Sequence, residues 1–165
     1  MDSHISKEEL RSKIVTNHFG RKALNLSQWR LNCTELPEAV LELAELEELN
    51  LSWNNLETIP ENFGKLNNIT DLHLSLNQMS IFPASLTQLK KLKWLDISHN
   101  KLTIISETIG EMVGLEGLDL SSNQLTVLSP AIKQLKKLKW LNISHNKLTT
   151  IPDAIGEVVG LEGLD

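Results

Sequence analysis

Aspartate, serine and histidine lie close together near residue 98, and hydrolases use these three side chains for nucleophilic catalysis. Asp96, Ser98 and His99 fall within one short segment, and Asp119 is expected beside Asp96 on a neighbouring strand. A catalytic triad needs the imidazole between the nucleophile and the acid. Ser98 and His99 are adjacent along a strand, which does not direct His99 at Ser98, and no glycine-rich nucleophile elbow is visible. We therefore predict that the protein is not an enzyme and has no catalytic residues.

Three histidines, His73, His99 and His145, raise the question of a metal site. Adjacent strands of a sheet are about 4.8 Å apart, so His99 and His145, two strands apart, are separated by roughly twice that distance. A shared ion would need bonds of about 2 Å to each imidazole. His73 and His99 fall on adjacent strands but at different strand positions. The sequence therefore predicts neither a metal site nor a cofactor, and the histidines are interpreted as polar contacts.

A repeat of 23 residues, in which leucine returns at fixed positions, sets where the strands lie. It begins at Leu46, and its apolar positions and its ninth-position asparagine return in register without a slip. Leu49 and Leu51 are two residues apart, so they point to the same side of an extended strand and predict its buried face. The asparagine is predicted to turn the chain and to satisfy backbone groups of its own and the next unit. These asparagines are Asn54, Asn77, Asn100, Asn123 and Asn146.

The pattern resembles the leucine-rich-repeat family, whose motif L-x-x-L-x-L-x-x-N-x-L is found in 23-residue units. The match covers roughly residues 23–165, and residues 89–119 are nearly identical to residues 135–165. The chain has no cysteine-rich caps, and in this it is similar to members of the intracellular "typical" class. In length, helical cap and paired repeats the chain also resembles effectors of this family that intracellular bacterial pathogens deliver into host cells. The resemblance implies an α/β solenoid, a curved right-handed coil with a parallel β-sheet on its concave face.

The two ends of the chain differ from the regular repeats. Ser6 to Glu9 form a capping box, and an apolar stripe with Gly20 as a C-cap predicts a helix over residues 6–19. We assign residues 1–21 to an N-terminal helical cap over the first open edge, and 22–165 to the solenoid, with an irregular first repeat before position 46. The sequence stops inside a strand, so we expect either a longer protein or another cover for that edge.

Residues between the strand leucines are predicted to form exposed columns across the repeats. The first column contains Glu48, Asp71, Trp94, Gly117, Trp140 and Gly163. The second contains Asn50, His73, Asp96, Asp119, Asn142 and Asp165. The third consists of Ser52, Ser75, Ser98, Ser121 and Ser144, and the fourth of Trp53, Leu76, His99, Ser122 and His145. Three of the four tryptophans therefore fall on one predicted face, while Trp29 is assigned to the core or the cap.

Exposed tryptophan is typical of binding hot spots, although indoles can also pack over neighbouring side chains. We predict that the tryptophans on this face anchor a partner and that histidine and acidic side chains add polar specificity. The predicted partner-binding residues are Trp53, Trp94, Trp140, His73, His99, His145, Glu48, Asp71, Asp96 and Asp119. The segment 38–61 contains seven glutamates and no basic residue. A partner steered by charge would therefore present basic groups to the N-terminal half.

Composition excludes several other classes. The chain has 165 residues and a formal net charge of −5, which argues against a nucleic-acid binder. Its N-terminus has no apolar run of a signal peptide, and no segment is long enough for a membrane span. A single cysteine, Cys33, points to a reducing compartment. We predict a cytoplasmic location, in the producing cell or in a host cell after secretion, and another protein as the partner, with no small-molecule substrate.

The predicted function is a non-catalytic module that binds a protein through its concave face. Two mechanisms stay open. The module occludes the active site of a partner enzyme, as an inhibitory secreted effector would, or it only docks a partner or another effector. The alternative is a recognition or scaffold arm of a larger signalling or ubiquitin-ligase-type protein.

Overall fold

The computed structural model describes residues 6–33, 36–158 and 160–164. Its main feature is a sheet of eight short strands, and two further strands pair with each other in a second small sheet within the described residues. In chain order the strands are β1 (Val15–Thr16), β2 (Lys22–Asn25), β3 (Asn32–Cys33), β4 (Glu48–Asn50), β5 (Asn55–Leu56), β6 (Asp71–His73), β7 (Trp94–Asp96), β8 (Gly117–Asp119), β9 (Trp140–Asn142) and β10 (Gly163–Leu164). The main sheet has the order β1-β2-β4-β6-β7-β8-β9-β10, and β3 pairs with β5.

The strands from β2 to β10 in the main sheet are parallel and pair leucine with leucine. Leu49 is opposite Leu72, which is opposite Leu95, and the same pairing continues through the later repeats. The leucines of β4 to β9 in this row are completely buried, whereas Leu164 on the last strand, β10, is 42% exposed. A constant repeat length places each strand directly beside the last, so the register follows from the spacing. The predicted α/β solenoid with a parallel sheet on its concave face is confirmed.

Short 3₁₀ segments form the side of the coil opposite the sheet. They span Glu61–Lys65, Ala84–Gln88, Glu107–Glu111, Pro130–Gln134 and Asp153–Glu157. Each buries a central apolar residue against the strand leucines, as Phe63 and Ile109 do. Proline at Pro60, Pro83 and Pro152 precedes three of these segments and cannot donate a backbone bond, which suits the first position outside a helix. Ser106 and Ser129 precede the other two segments, and Ser129 Oγ accepts from the Ala131 N–H at 3.2 Å.

The repeated asparagines form a buried ladder along the coil. In each regular repeat the side-chain oxygen accepts a backbone N–H of the preceding repeat, and the amide donates to one carbonyl there and to carbonyls of its own turn. For Asn100, the oxygen accepts from Met79, and the amide donates to Leu74 and Ile97. The sequence prediction named the asparagine's own unit and the next unit as partners; the own unit is correct, but the second partner is the preceding unit and not the next one. The carbonyl that its amide reaches outside its own turn belongs to the preceding repeat, because the asparagine side chain points back toward that repeat.

The N-terminal helix is shorter than predicted. Helix α1 spans Lys7–Ser12, and Ser6 Oγ accepts from the Glu9 N–H at 3.1 Å, as the capping box requires. The chain then forms β1, which pairs antiparallel with β2. Val15 and Thr16 are β-branched and favour a strand, and β2 offers them an open edge of backbone groups. Gly20, predicted as a helix cap, lies at φ 78° in the turn that joins β1 to β2.

Helix α1 packs on the first repeats, where a second helix, α2, spans Glu38–Leu41. Leu10 is fully buried, and an ion pair joins Arg11 Nε to Glu45 Oε1 at 3.0 Å. The pKa of the Glu45 carboxyl lies below its ordinary value because its own backbone N–H and then the Arg11 guanidinium favour the ionised form. Trp29 is 37% exposed and lies 5.5 Å from Lys13 Nζ, so it borders the cap and is not a core residue. None of the helices in the described part of the chain has the length and apolar character needed to cross a bilayer.

Candidate functional site on the concave face

Parallel pairing in register lines up the side chains of the concave face in rows. Row one contains Glu48, Asp71, Trp94, Gly117, Trp140 and Gly163. Row two contains Asn50, His73, Asp96, Asp119 and Asn142. Seven of the ten predicted partner-binding residues therefore lie in these two rows, which confirms their placement, while their role stays a prediction. Asp165, assigned to row two from sequence, lies outside the described residues.

Two tryptophans of row one stack on each other. The ring centroids of Trp94 and Trp140 are 5.0 Å apart, and the rings are inclined by 21°. Their strands are two apart, about 9.6 Å, so the rings must lean together across the residue between them. We call Trp94, Trp140, Gly117 and Gly163 the indole platform.

Glycine makes this stack possible. A Cβ built on Gly117 would overlap the six-membered ring of Trp94, and a Cβ on Gly163 would lie 2.9 Å from Trp140 Cδ1. Each indole therefore lies over the glycine of the next strand. Both rings are half-buried. The two indoles therefore pack on neighbouring groups, as the alternative interpretation stated, and they also leave an aromatic surface accessible. The alternation of Trp and Gly along row one was the signal that the sequence interpretation did not use.

The fourth predicted column is not on the strands. Trp53, Leu76, His99, Ser122 and His145 all have φ between 50° and 56°, the left-handed region. L-residues pay a steric cost there, and a backbone bond holds each of the first four, as when the His99 N–H donates to the Ser121 carbonyl at 2.9 Å. Trp53 is 58% exposed at this turn. Trp53, His99 and His145 therefore project from the ends of the strands, beside the two rows and not within them.

The serine column was predicted to be exposed, and this is wrong for three of its members. Ser52, Ser98 and Ser121 are buried where the strand bends into the turn. Ser98 Oγ donates to Asp96 Oδ1 at 2.7 Å and not to His99. The hydrogen bond from Ser98 to Asp96 is a local side-chain contact at the end of the strand. It directs the Ser98 hydroxyl at the carboxylate and not at the His99 imidazole. Absence of catalysis stays a prediction.

The acidic residues of the face differ in what they contact. Asn17 donates from Nδ2 to Glu48 Oε2 at 2.6 Å, and Arg21 forms an ion pair with Asp71. Glu48 and Asp71 thus attach the turn between β1 and β2 to the sheet. Within the described residues, neither Asp96 nor Asp119 forms an ion pair. Asp96 and Asp119 therefore have no internal cation in that part of the chain, whereas Asp71 has Arg21 and Glu48 contacts the neutral amide of Asn17.

Residues 6–33, 36–158 and 160–164 contain no group of three His, Cys, Asp or Glu side chains placed to hold a metal ion. His73 lies in row two opposite Asp96, while His99 and His145 lie at the turns. The face thus offers aromatic rings, carboxylates and single imidazoles. Such an arrangement can contact a partner by apolar burial and charge. The predicted absence of metal and cofactor stays a prediction.

We expect Gly117→Ala to break the indole stack without unfolding the protein. The new methyl group occupies the space of the Trp94 ring, and only that ring has to move. The measurement is the exciton signal of the coupled indoles in circular dichroism, which should disappear while the unfolding midpoint changes little. Gly156→Ala is the matched control, because nothing lies within 4 Å of its Cβ. An exciton signal retained in Gly117→Ala would contradict the role of this glycine.

Comparison with protein families gives matches along the repeats. A model described as leucine rich repeat matches residues 79–125 and 113–165, and a second model of the same description matches residues 45–66. No curated protein matches the chain.

Several solved structures are similar to the chain over most of its length. A leucine-rich-repeat protein of Leptospira interrogans is 30% identical, with a TM-score of 0.81, over 96% of this chain and 44% of that one. The leucine-rich-repeat ectodomain of the Arabidopsis receptor kinase HAESA, in complex with an N-terminally extended IDA peptide hormone, is 27% identical with a TM-score of 0.74, over 92% of this chain and 27% of that one. The functional domain of InlJ from Listeria monocytogenes is 25% identical with a TM-score of 0.64, over 76% and 26%. The chain thus spans less than half the length of each of these structures.

Proposed function

Because the chain belongs to the leucine-rich-repeat family, we propose that it binds another protein through its concave face, with the indole platform as the anchor. The observation that carries the proposal is the half-buried stack of Trp94 and Trp140, which stand on β7 and β9, the fifth and seventh strands of the main sheet. Tryptophan is among the residues most enriched in binding hot spots. Trp53 is a second anchor at the turn.

Rigidity of the face supports the same proposal. The strand backbones are bonded to each other in register, and the asparagine ladder fixes the turns behind them. The tryptophans are held by each other and by the backbone of Gly117. A partner would therefore order few side chains on binding, which lowers the entropic cost of association. The HAESA ectodomain, a structure of the same repeat type, holds a peptide hormone, which supports a polypeptide partner.

A finer version of the proposal makes the protein an effector or inhibitor that occludes the active site of a partner enzyme in the cytoplasm of a host cell. Likeness to a Leptospira protein supports a bacterial context. The second candidate is a recognition or scaffold arm of a larger protein, and the short share of its relatives that the chain spans favours it. Adding the protein to its partner enzyme separates the two. Occlusion lowers turnover in proportion to occupancy, while docking leaves turnover unchanged.

Site-specific cross-linking tests the proposed face. A photo-reactive phenylalanine at position 122 stands at the turn where Trp53 and His99 show that bulky side chains fit. The matched control carries the same group at Glu111, exposed on the 3₁₀ side of the coil. We expect a partner protein from the native cell to be cross-linked at position 122 and not at 111. Cross-linking at 111 alone would overturn the proposed function.

A further inference from the structure

Two carboxylates lie directly beside the indole platform. Asp96 is two residues after Trp94 on β7, so the two side chains share a face of the sheet and are about 6.6 Å apart along the strand. Asp119 pairs in register with Asp96 on β8, about 4.8 Å away. We propose that the platform, Asp96 and Asp119 form a subsite for one cationic side chain of the partner, an arginine. This inference rests on the proposed function and names the chemistry that the concave face recognises.

The aromatic half of the subsite suits a cation. The face of an indole carries negative electrostatic potential and attracts a cation placed within about 6 Å of its centre. A guanidinium is planar, so it can lie flat on Trp94 or Trp140 while its N–H groups point to the side. Lysine has a compact, strongly hydrated charge and lacks the planar fork of N–H groups that serves both contacts together. Those N–H groups would then reach the carboxylates of row two.

The acidic half lacks a counter-charge within the described chain. Each carboxylate uses Oδ1 to accept a backbone N–H two residues on, Ser98 at 3.0 Å for Asp96 and Ser121 at 2.9 Å for Asp119. No internal lysine or arginine pairs with either group in the described residues. Like charges on adjacent strands, whose backbones are about 4.8 Å apart, repel each other, and a cation between them relieves that repulsion.

The neighbouring acidic side chains of the same sheet already have partners within the protein, and Glu48 accepts from the Asn17 amide. Just before the strands, Glu116 contacts Lys93 at 3.3 Å and Lys139 at 3.9 Å. At the N-terminal end, Asp71 pairs with Arg21. Positive charge added near Asp96 and Asp119 therefore meets an uncompensated site, whereas elsewhere in the rows it competes with an existing partner.

An apolar partner group fits the platform less well. Docking on Trp94 and Trp140 would remove water from the adjacent Asp96 and Asp119, and a carboxylate without water or a cation is costly to bury. A guanidinium repays that cost with charge-assisted hydrogen bonds. The two carboxylates beside the platform thus favour a basic segment of a protein over a purely apolar one.

The test uses a defined probe, N-acetyl-arginine methylamide, titrated into the protein with 15N-labelled tryptophan. The neutral citrulline analogue has nearly the same shape and isolates the effect of charge. Indole N–H signals are assigned with single Trp→Phe variants. We expect the arginine compound to shift the Trp94 and Trp140 signals saturably and to bind about five-fold tighter than the citrulline compound.

The informative variant is the double change Asp96→Asn and Asp119→Asn. Asn142 stands at the equivalent position of the sister repeat, and its Oδ1 accepts from the Ser144 N–H at 3.0 Å and the Ser144 hydroxyl at 2.7 Å, as Asp96 does with Ser98. Asparagine therefore keeps the strand end intact and removes only the charge. We expect the double variant to lose the preference for arginine over citrulline. Asp153→Asn, on the 3₁₀ side, is the matched control and should keep it.

Three results would overturn the inference: no saturable shift of either indole signal, equal binding of the two compounds, or a preference that survives in the double variant. If one of these is found while position 122 still cross-links a partner, only the cation subsite is wrong and the concave binding face stands. If cross-linking is confined to position 111, the proposed function itself is wrong, whatever the small probes do.

Discussion

Replacing Trp94 and Trp140 together by alanine is expected to weaken partner binding by about 100-fold or more while the fold is retained. Truncating one hot-spot tryptophan typically costs at least about 2 kcal/mol, and the two changes remove the whole aromatic surface of row one. Because the rings stack at 5.0 Å, each single change also disturbs the other ring. The effects of the single variants should therefore not add up to that of the double variant.

Calorimetric titration of the cross-linked partner, once identified, measures this loss. Trp29→Ala is the matched control, because that indole is also accessible but lies beside Lys13 at the cap. It should bind like the unchanged protein. Trp53→Ala tests the second anchor and should have a smaller effect, since it projects from the turn and has no stacked neighbour among the described aromatic pairs. If the double variant still binds within a few-fold while its unfolding midpoint is unchanged, the anchors lie elsewhere.

Asn100→Ala is expected to lower the free energy of unfolding by about 3 kcal/mol or more, the largest effect on stability that we predict for a single polar side chain. Its side-chain oxygen accepts from the Met79 N–H at 3.0 Å, and its amide donates to the carbonyls of Leu74 and Ile97 at 3.0 and 3.1 Å. Alanine leaves these groups unpaired inside the coil, and each buried unpaired group costs about 1–3 kcal/mol. Urea denaturation followed by circular dichroism measures the change.

Another asparagine of the ladder, which is less buried than Asn100, supplies the comparison for this experiment. Asn146 makes the same kinds of bonds but is only partly buried, so Asn146→Ala should cost less. Asn67→Ala changes an exposed turn residue and should alter stability by less than about 0.5 kcal/mol. A loss below about 1 kcal/mol for Asn100→Ala would mean that water replaces the amide, and that the ladder is not what fixes the turns.

Much of the fold follows from the sequence because the repeat is local and regular. A constant spacing forces Leu49, Leu72 and Leu95 into one row, and it assigns Asp71, Trp94 and Gly117 to the next without knowledge of any distant contact. The prediction failed at the left-handed turn. Left-handed backbone is usually signalled by glycine or asparagine, and this position carries Trp53, His99 and other L-residues that lack that signal.

What the sequence by itself determined is the coil, its register and the rows of the concave face, because these depend only on apolar spacing along the chain. Tertiary structure alone decided that residues 15–16 form a strand, since an open sheet edge outweighed the helical pattern around them. It also decided that Trp94 and Trp140 touch. That contact depends on the empty space above Gly117, which stands on the strand between theirs, so it involves three strands and not one segment of the chain. Contacts between side chains across a sheet are set by what lies between them, and a linear pattern records only which residues share a row.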